Sequence, residues 1–118
     1  MKEKFLEDVF VEYPTLIEPG LVFIQRQVPL NNGKRRIDLQ YQDKNGNNLF
    51  VELKRCKFRR EDVRQIIEYY KHIKRANDPN IRLMVIAKGF CPEARLILRY
   101  LGVELKKILL SLNPTDLG

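Results

Sequence analysis

Phe5, Leu6, Val9 and Phe10 recur at helical spacing with acids between them, which predicts a helix over residues 2–12. Pro14 and Pro19-Gly20 break the chain after it. Leu21 to Val28 is rich in β-branched and apolar residues and reads as a strand, with Pro29 as its end and Asn31-Asn32-Gly33 as turn chemistry. In residues 35–42, Ile37, Leu39 and Tyr41 alternate with Arg36, Asp38 and Gln40, the pattern of a half-buried strand. Asn45-Gly46 inside residues 43–48 is a hairpin signal. The chain then returns over residues 49–55, with Leu49, Val51 and Leu53 on one face and Phe50, Glu52 and Lys54 on the other.

Residues 60–76 read as a helix with an apolar stripe of Val63, Ile66, Ile67, Tyr70 and Ile73, stopped by residues 77–80. Ile81 to Ala87 is a nearly continuous apolar run, expected to be a strand buried on both faces. Pro92 opens a further helix with Ala94, Leu96, Ile97 and Leu101 on its inner side, and Gly102 closes it. Residues 103–112 fit a short strand, a short helix, or one after the other, and the last six residues are expected to fray. The order helix, three strands, helix, strand, helix predicts an α/β fold. Its mixed β-sheet is flanked by helices, and the helix after the hairpin is long enough to cross over to a parallel strand.

The 118 residues fit a single domain with one real core. The net charge of +7 favours an anionic partner, and nucleic acid is the commonest one. Cys56 and Cys91 have no metal-binding spacing, and they read as free thiols of a reducing compartment. No apolar run reaches the length of a membrane span, and the N-terminus carries acids where a signal peptide would be apolar. A cytoplasmic protein without a membrane partner is therefore expected. Neither a phosphate-binding loop nor a dinucleotide fingerprint is present, and the single histidine, His72, has no recognisable triad partner.

The chemistry concentrates on the central hairpin. Glu52 and Lys54 share one strand face, and Asp38 stands on the preceding strand within reach of Glu52 if the register suits. Two converging carboxylates suit a hard cation such as Mg²⁺ or Mn²⁺, which would bind a phosphate oxygen and activate water. The Lys54 ammonium would orient that water or hold the phosphate. The spacing alone also describes a cross-strand salt bridge. Glu104-Leu105-Lys106 repeats it after a helix with no acid-bearing strand before it, and Glu104 and Lys106 read as ordinary surface charges. Gln65 and Tyr69 share a helix face apart from the apolar stripe. Glu3 on position alone is a solvated acid. Lys34, Arg35 and Arg36 flank one end of the hairpin, and Arg55, Lys57, Arg59, Arg60 and Arg64 follow Lys54, where they could grip a nucleic-acid backbone.

These pieces resemble the C-terminal nuclease domain of the NucS/EndoMS family, mismatch-cutting endonucleases of the PD-(D/E)XK, or restriction-endonuclease-like, superfamily. The resemblance runs from about Glu3 to Leu105. It rests on the E-x-x-L helix start at Glu3, the stretch Glu12 to Leu21, Ile37-Asp38-Leu39, Asp43 to Gly46, Val51 to Arg55, Gln65 to Tyr70, and Val85 to Arg95, in family order. It implies that Glu3, Asp38, Glu52, Lys54, Gln65 and Tyr69 hold active-site positions. Asp38, Glu52 and the Leu53 backbone carbonyl would hold the metal, and Glu3 would reach it through a water. Lys54 and Gln65 would handle the attacking water and the phosphate. The family's N-terminal DNA-binding and dimerisation domain is expected to be absent, so mismatch specificity is not carried over. A homodimer, or a separate targeting subunit, would then bring the domain to DNA. The expected activity is Mg²⁺- or Mn²⁺-dependent hydrolysis of DNA. The rivals are the same fold acting on RNA or branched DNA, and a nucleic-acid-binding module that does not cut.

Overall fold

The computed structural model describes residues 3–30, 33–73 and 78–108. The elements in chain order are α1 (Glu3–Glu12), β1 (Val22–Leu30), β2 (Arg35–Gln42), β3 (Asn48–Phe58), α2 (Val63–Ile73), β4 (Ile81–Phe90), α3 (Pro92–Tyr100) and β5 (Glu104–Lys107). Short 3-10 turns stand at Pro14–Leu16 and Arg60–Asp62. One five-stranded sheet runs in the order β1-β2-β3-β4-β5. The first three strands are antiparallel, and β4 and β5 join β3 in parallel, so β3 is where the two kinds of pairing meet.

The predicted mixed sheet with flanking helices is the observed one, with β5 as an added last strand. Several boundaries differ for physical reasons. β1 continues through Pro29 to Leu30, which the missing amide permits because β1 is an outer strand of the sheet. β3 runs on to Phe58 and β4 to Phe90, since each offers the other a parallel partner beyond the apolar run. The expected helix over 60–76 begins as the 3-10 turn, with the Arg59 amide donating to Asp62 at 2.8 Å, and residues 74–76 lie outside the described residues. So do residues 109–112 of the ambiguous segment.

Each face of the sheet carries its own core. On one face, Leu6 and Phe10 of α1, with Ile17 and Leu21, pack on Leu39, Tyr41, Leu49, Val51, Leu53, Met84 and Ile86. The Tyr41 hydroxyl donates to the Phe10 carbonyl at 2.7 Å and so satisfies the last polar atoms of that interface. On the other face, α2 and α3 cover Leu83, Val85 and Ala87. β4 thus points apolar side chains into both cores, which accounts for its unbroken hydrophobic run. The α3 stripe differs from expectation. Ala94 and Leu98 are buried, whereas Leu96 is 70% exposed and Ile97 lies at the surface. The α2 stripe likewise includes Tyr69, which is fully buried and displaces Ile67 and Tyr70 to partial burial. Gly46 closes the hairpin turn and Gly102 closes α3, both with positive φ (84° and 77°), where a Cβ would be strained.

Candidate active site

The site grows from a fork in the sheet. β2 pairs with β3 only over Leu39–Gln42, while β1 follows β2 down to Arg35 and β3 continues against β4. At the crotch Ile37 packs into the α2–α3 core while Leu39 packs into the α1 core, so β2 turns over at Asp38. Backbone groups left without ladder partners there must be satisfied otherwise. Asp38 and Glu52 satisfy them. The Leu53 amide donates to Asp38 Oδ2 at 2.7 Å, and the Asp38 amide donates to Glu52 Oε1 at 3.3 Å. Both side chains therefore meet in the fork rather than on opposite faces of the sheet.

The electrostatics are those of acids forced together. Burial pushes the Glu52 carboxyl up to about 10, and the neighbouring Asp38 carboxylate adds to the rise. Glu7, from α1, is also raised, chiefly by burial, with the Asp38 charge contributing against the hydrogen bond from Gln27. Gln27 Nε2 lies 3.1 Å from Glu7 Oε1 and 3.3 Å from Asp38 Oδ1, so one amide spans the two carboxyls. Its backbone is left-handed, at φ 49°. Such a conformation costs a non-glycine residue about 1–2 kcal/mol and persists only where the surroundings impose it.

From α2, the Tyr69 hydroxyl accepts from Gln65 Nε2 at 2.6 Å and donates to the Arg36 carbonyl at 2.8 Å. Burial pushes the Tyr69 hydroxyl up, and the Glu52 charge adds to the rise. Gln65 stays exposed beside it. Lys54 follows Glu52 on the same strand face, and its ammonium pairs with Asp62 Oδ1 at 3.2 Å, at the entrance to α2. Glu3 begins α1, exposed, with no hydrogen bond or ion pair among the described residues.

The expected residues thus divide. Asp38, Glu52, Gln65 and Tyr69 come together, Lys54 stands beside them on Asp62, and Glu3 lies one helical turn before Glu7, which does reach the cluster. Tyr69 and Phe58 are both core residues, and Phe58 is tilted against Phe90 at 5.9 Å between ring centroids. Glu7, Gln27 and Asp62 were missed. Glu7 lies four residues after Glu3, the one signal that could have found it. Among the expected cations, Lys34, Arg35 and Arg36 are exposed at the far end of β2, with Arg35 paired to Glu68. Arg55, Lys57, Arg59, Arg60 and Arg64 are exposed, and Arg60 meets Glu93.

Glu104 and Lys106 are not plain surface charges. Arg82 donates to both oxygens of Glu18 and of Glu104, at 2.6–2.8 Å, and to Asp43 at 3.0 Å, while Lys106 donates to the Ile17 carbonyl at 2.6 Å. This second E-x-K repeat locks β5 to the sheet and is structural.

The fork brings two carboxyl donors together, of the oxygen chemistry a hard divalent cation takes, and among the described residues no group of three or more His, Cys, Asp or Glu side chains is placed to hold a metal ion. Two carboxyls in contact, one of them strongly raised, are a pair that a nearby cation would allow to ionise together.

A family model described as the Endonuclease NucS C-terminal domain matches residues 2–116. Endonuclease NucS of Pyrococcus abyssi (strain GE5 / Orsay) is 30% identical over 106 residues, covering 90% of this chain and 41% of that protein. Endonuclease NucS of Sulfolobus acidocaldarius is 31% identical over 103 residues, covering 87% and 40%. The crystal structure of a repair endonuclease from Pyrococcus abyssi shares the fold with a TM-score of 0.81 at 29% identity, over 92% of this chain and 47% of that one. A chain of an EndoMS complex with double-stranded DNA gives a TM-score of 0.83 at 24% identity, over 95% and 46%. The chain spans less than half the length of these relatives. With the family's model matched along nearly the whole of this chain, the chain belongs to the endonuclease NucS C-terminal domain family.

Proposed function

We propose that the chain is the cutting domain of a divalent-metal-dependent DNA endonuclease. The observation that carries the reading is the meeting of Asp38 and Glu52 in the fork between β2 and β3, with half-buried carboxyls and backbone amides fixing their orientation. Asp38, Glu52 and the Leu53 carbonyl would hold Mg²⁺ or Mn²⁺. When bound, the ion supplies Lewis-acid polarisation of the phosphate and a more acidic water.

The chain's own groups do the rest. The Lys54 ammonium lies on the same strand face as Glu52 and can hold a phosphate oxygen once it leaves Asp62. Gln65, oriented by its bond to Tyr69, offers an amide to the attacking water or to the phosphate. Tyr69 fixes both Gln65 and the Arg36 carbonyl, and so sets the distance between α2 and β2. Glu7 and Gln27 hold Asp38 from the other side, and Glu3 would act through a water. Lys34, Arg35 and Arg36 would meet the backbone to one side of the scissile bond, and the cations after Lys54 would meet it on the other. The relatives' names as endonucleases, and the DNA-bound state of the EndoMS neighbour, support this substrate. A homodimer would present two such sites to the two strands, and a separate targeting subunit is the other route to the same end.

The test is a digest of supercoiled plasmid with Mg²⁺, with EDTA, and with Glu52→Ala. Cutting should require the metal and fall by at least a hundredfold in the variant, while salt-sensitive DNA binding persists. Cutting by Glu52→Ala at the parent's rate would defeat the assignment of the site. A parallel panel of single-stranded, duplex, mismatched and branched DNA, with RNA, assigns the preferred substrate.

A further inference from the structure

Beyond the fork, a groove of about 860 Å³ opens where β3, β4 and β5 end, with α3 as one wall. Six cations line it: Arg55 and Lys57 from β3, Lys88 from β4, Arg95 and Arg99 from α3, and Lys107 from β5. All six are exposed, and among the described residues no carboxylate lines the groove. Elsewhere the cations Arg26, Arg35, Lys54, Arg60 and Arg82 each meet an acid. Lys57, Lys88, Arg95, Arg99 and Lys107 meet none among the described residues. Four elements thus bring Lys57, Lys88, Arg95, Arg99 and Lys107 together with no countercharge among the described residues, an arrangement that costs the fold through self-repulsion and that a bound anion relieves. Six cations on four elements exceed what one phosphate could engage, and the open groove suits an extended polyanion. Its position sets it beside the fork. Arg55 directly follows Lys54 in β3, and Lys57 lies on the order of 10 Å further along the strand, about three nucleotides of a B-form backbone.

We propose that this groove carries the sugar-phosphate backbone of the DNA strand leading away from the cleavage site, with Lys88, Arg95, Arg99 and Lys107 as its contacts. The inference rests on the nuclease reading for the identity of the polyanion and adds to it a second track, on elements other than the β1–β2 turn that bears Lys34, Arg35 and Arg36.

The test uses the full chain carrying Glu52→Gln, in EDTA, with a labelled duplex of about 20 base pairs. Reversing two groove charges on the exposed face of α3 (Arg95→Glu with Arg99→Glu) should weaken binding at least tenfold. It should also lower the slope of log affinity against log salt by about two, since each phosphate contact contributes about 0.9. The same charge change outside the groove, at Lys44 and Lys71, should have a smaller effect on both. A readout free of charge reversal comes from Cys56, an exposed thiol in the groove wall. The duplex should slow its alkylation by iodoacetamide in the parent and not in the α3 variant, and inorganic phosphate at equal phosphate concentration should not. Equal effects of groove and control reversals, unchanged Cys56 alkylation on adding duplex, or equal protection by inorganic phosphate would each overturn the groove. The two readings fail differently. A wrong nuclease assignment leaves the unsubstituted chain unable to cut although duplex protects Cys56; a wrong groove leaves cutting intact and insensitive to the α3 reversals.

Discussion

Gln27 joins two features seldom found in one residue, a left-handed backbone and a side-chain amide shared between Glu7 and Asp38. The backbone turn is what aims the amide inward from β1. Replacement by alanine should keep the strain and lose the hydrogen bonds, whereas replacement by glycine loses the bonds and relieves the strain. Gln27→Gly should therefore be more stable to urea than Gln27→Ala by about 1 kcal/mol, while both cut plasmid about tenfold more slowly than the parent. Equal stability of the two would remove the strain from the account, and full activity of both would remove the positioning role. Asp38 and Glu52 were legible in the sequence because regular alternation puts each on the face opposite the apolar set of its strand, on neighbouring strands of one hairpin. Gln27 was not, since nothing in Leu21 to Val28 announces a turned backbone, and Glu7 looks like any acid on a solvated helix.

At the level of elements, β5 is tied on by the acids around Arg82. The Arg82 hydrogen bonds hold Glu18 below the usual carboxylate range, against the effect of burial. For Asp43, burial alone would raise the carboxyl, yet the Asn47 and Asn45 amides and Arg82 outweigh it and leave it lowered. A depressed acid stabilises the fold above its unfolded value and loses that contribution as pH falls through its folded value. Thermal unfolding from pH 7 down to 3 should thus show a midpoint that falls once pH drops below about 4.5, the ordinary range of these acids. In Arg82→Met the midpoint should be lower at pH 7, and its deficit should shrink toward pH 3. A deficit constant with pH would mean that the guanidinium contributes by packing alone. The strand itself was hidden because four residues with one alternation fit helix or strand equally, and only the edge of β4 decides between them. Arg82 did leave a trace, as the one charge within the apolar run from Ile81 to Ala87.

Taken whole, the molecule is one sheet between two cores, opened at a single fork. The acids of that fork oppose one another, so a cation bound there should stabilise the entire fold. At tenfold excess over its Kd, Mg²⁺ should add about 1.4 kcal/mol to unfolding free energy. Differential scanning calorimetry should show a rise in Tm that EDTA reverses and that Glu52→Ala lacks; an equal rise in the variant would place the ion elsewhere. The mixed sheet and its helices followed from hydrophobic period alone, whereas the fork did not, because it depends on where two strands cease to pair. The sheet's outer rim has a consequence of its own. Pro29 removes one amide from the last residues of β1, so that half of the rim is a poorer template for recruiting another strand. The half bearing exposed Val22 and Ile24 keeps its amides. A chain that extended the β1 edge of this sheet by backbone pairing would attach there, at the end remote from the Lys34–Arg36 turn, leaving the approach to the fork unobstructed.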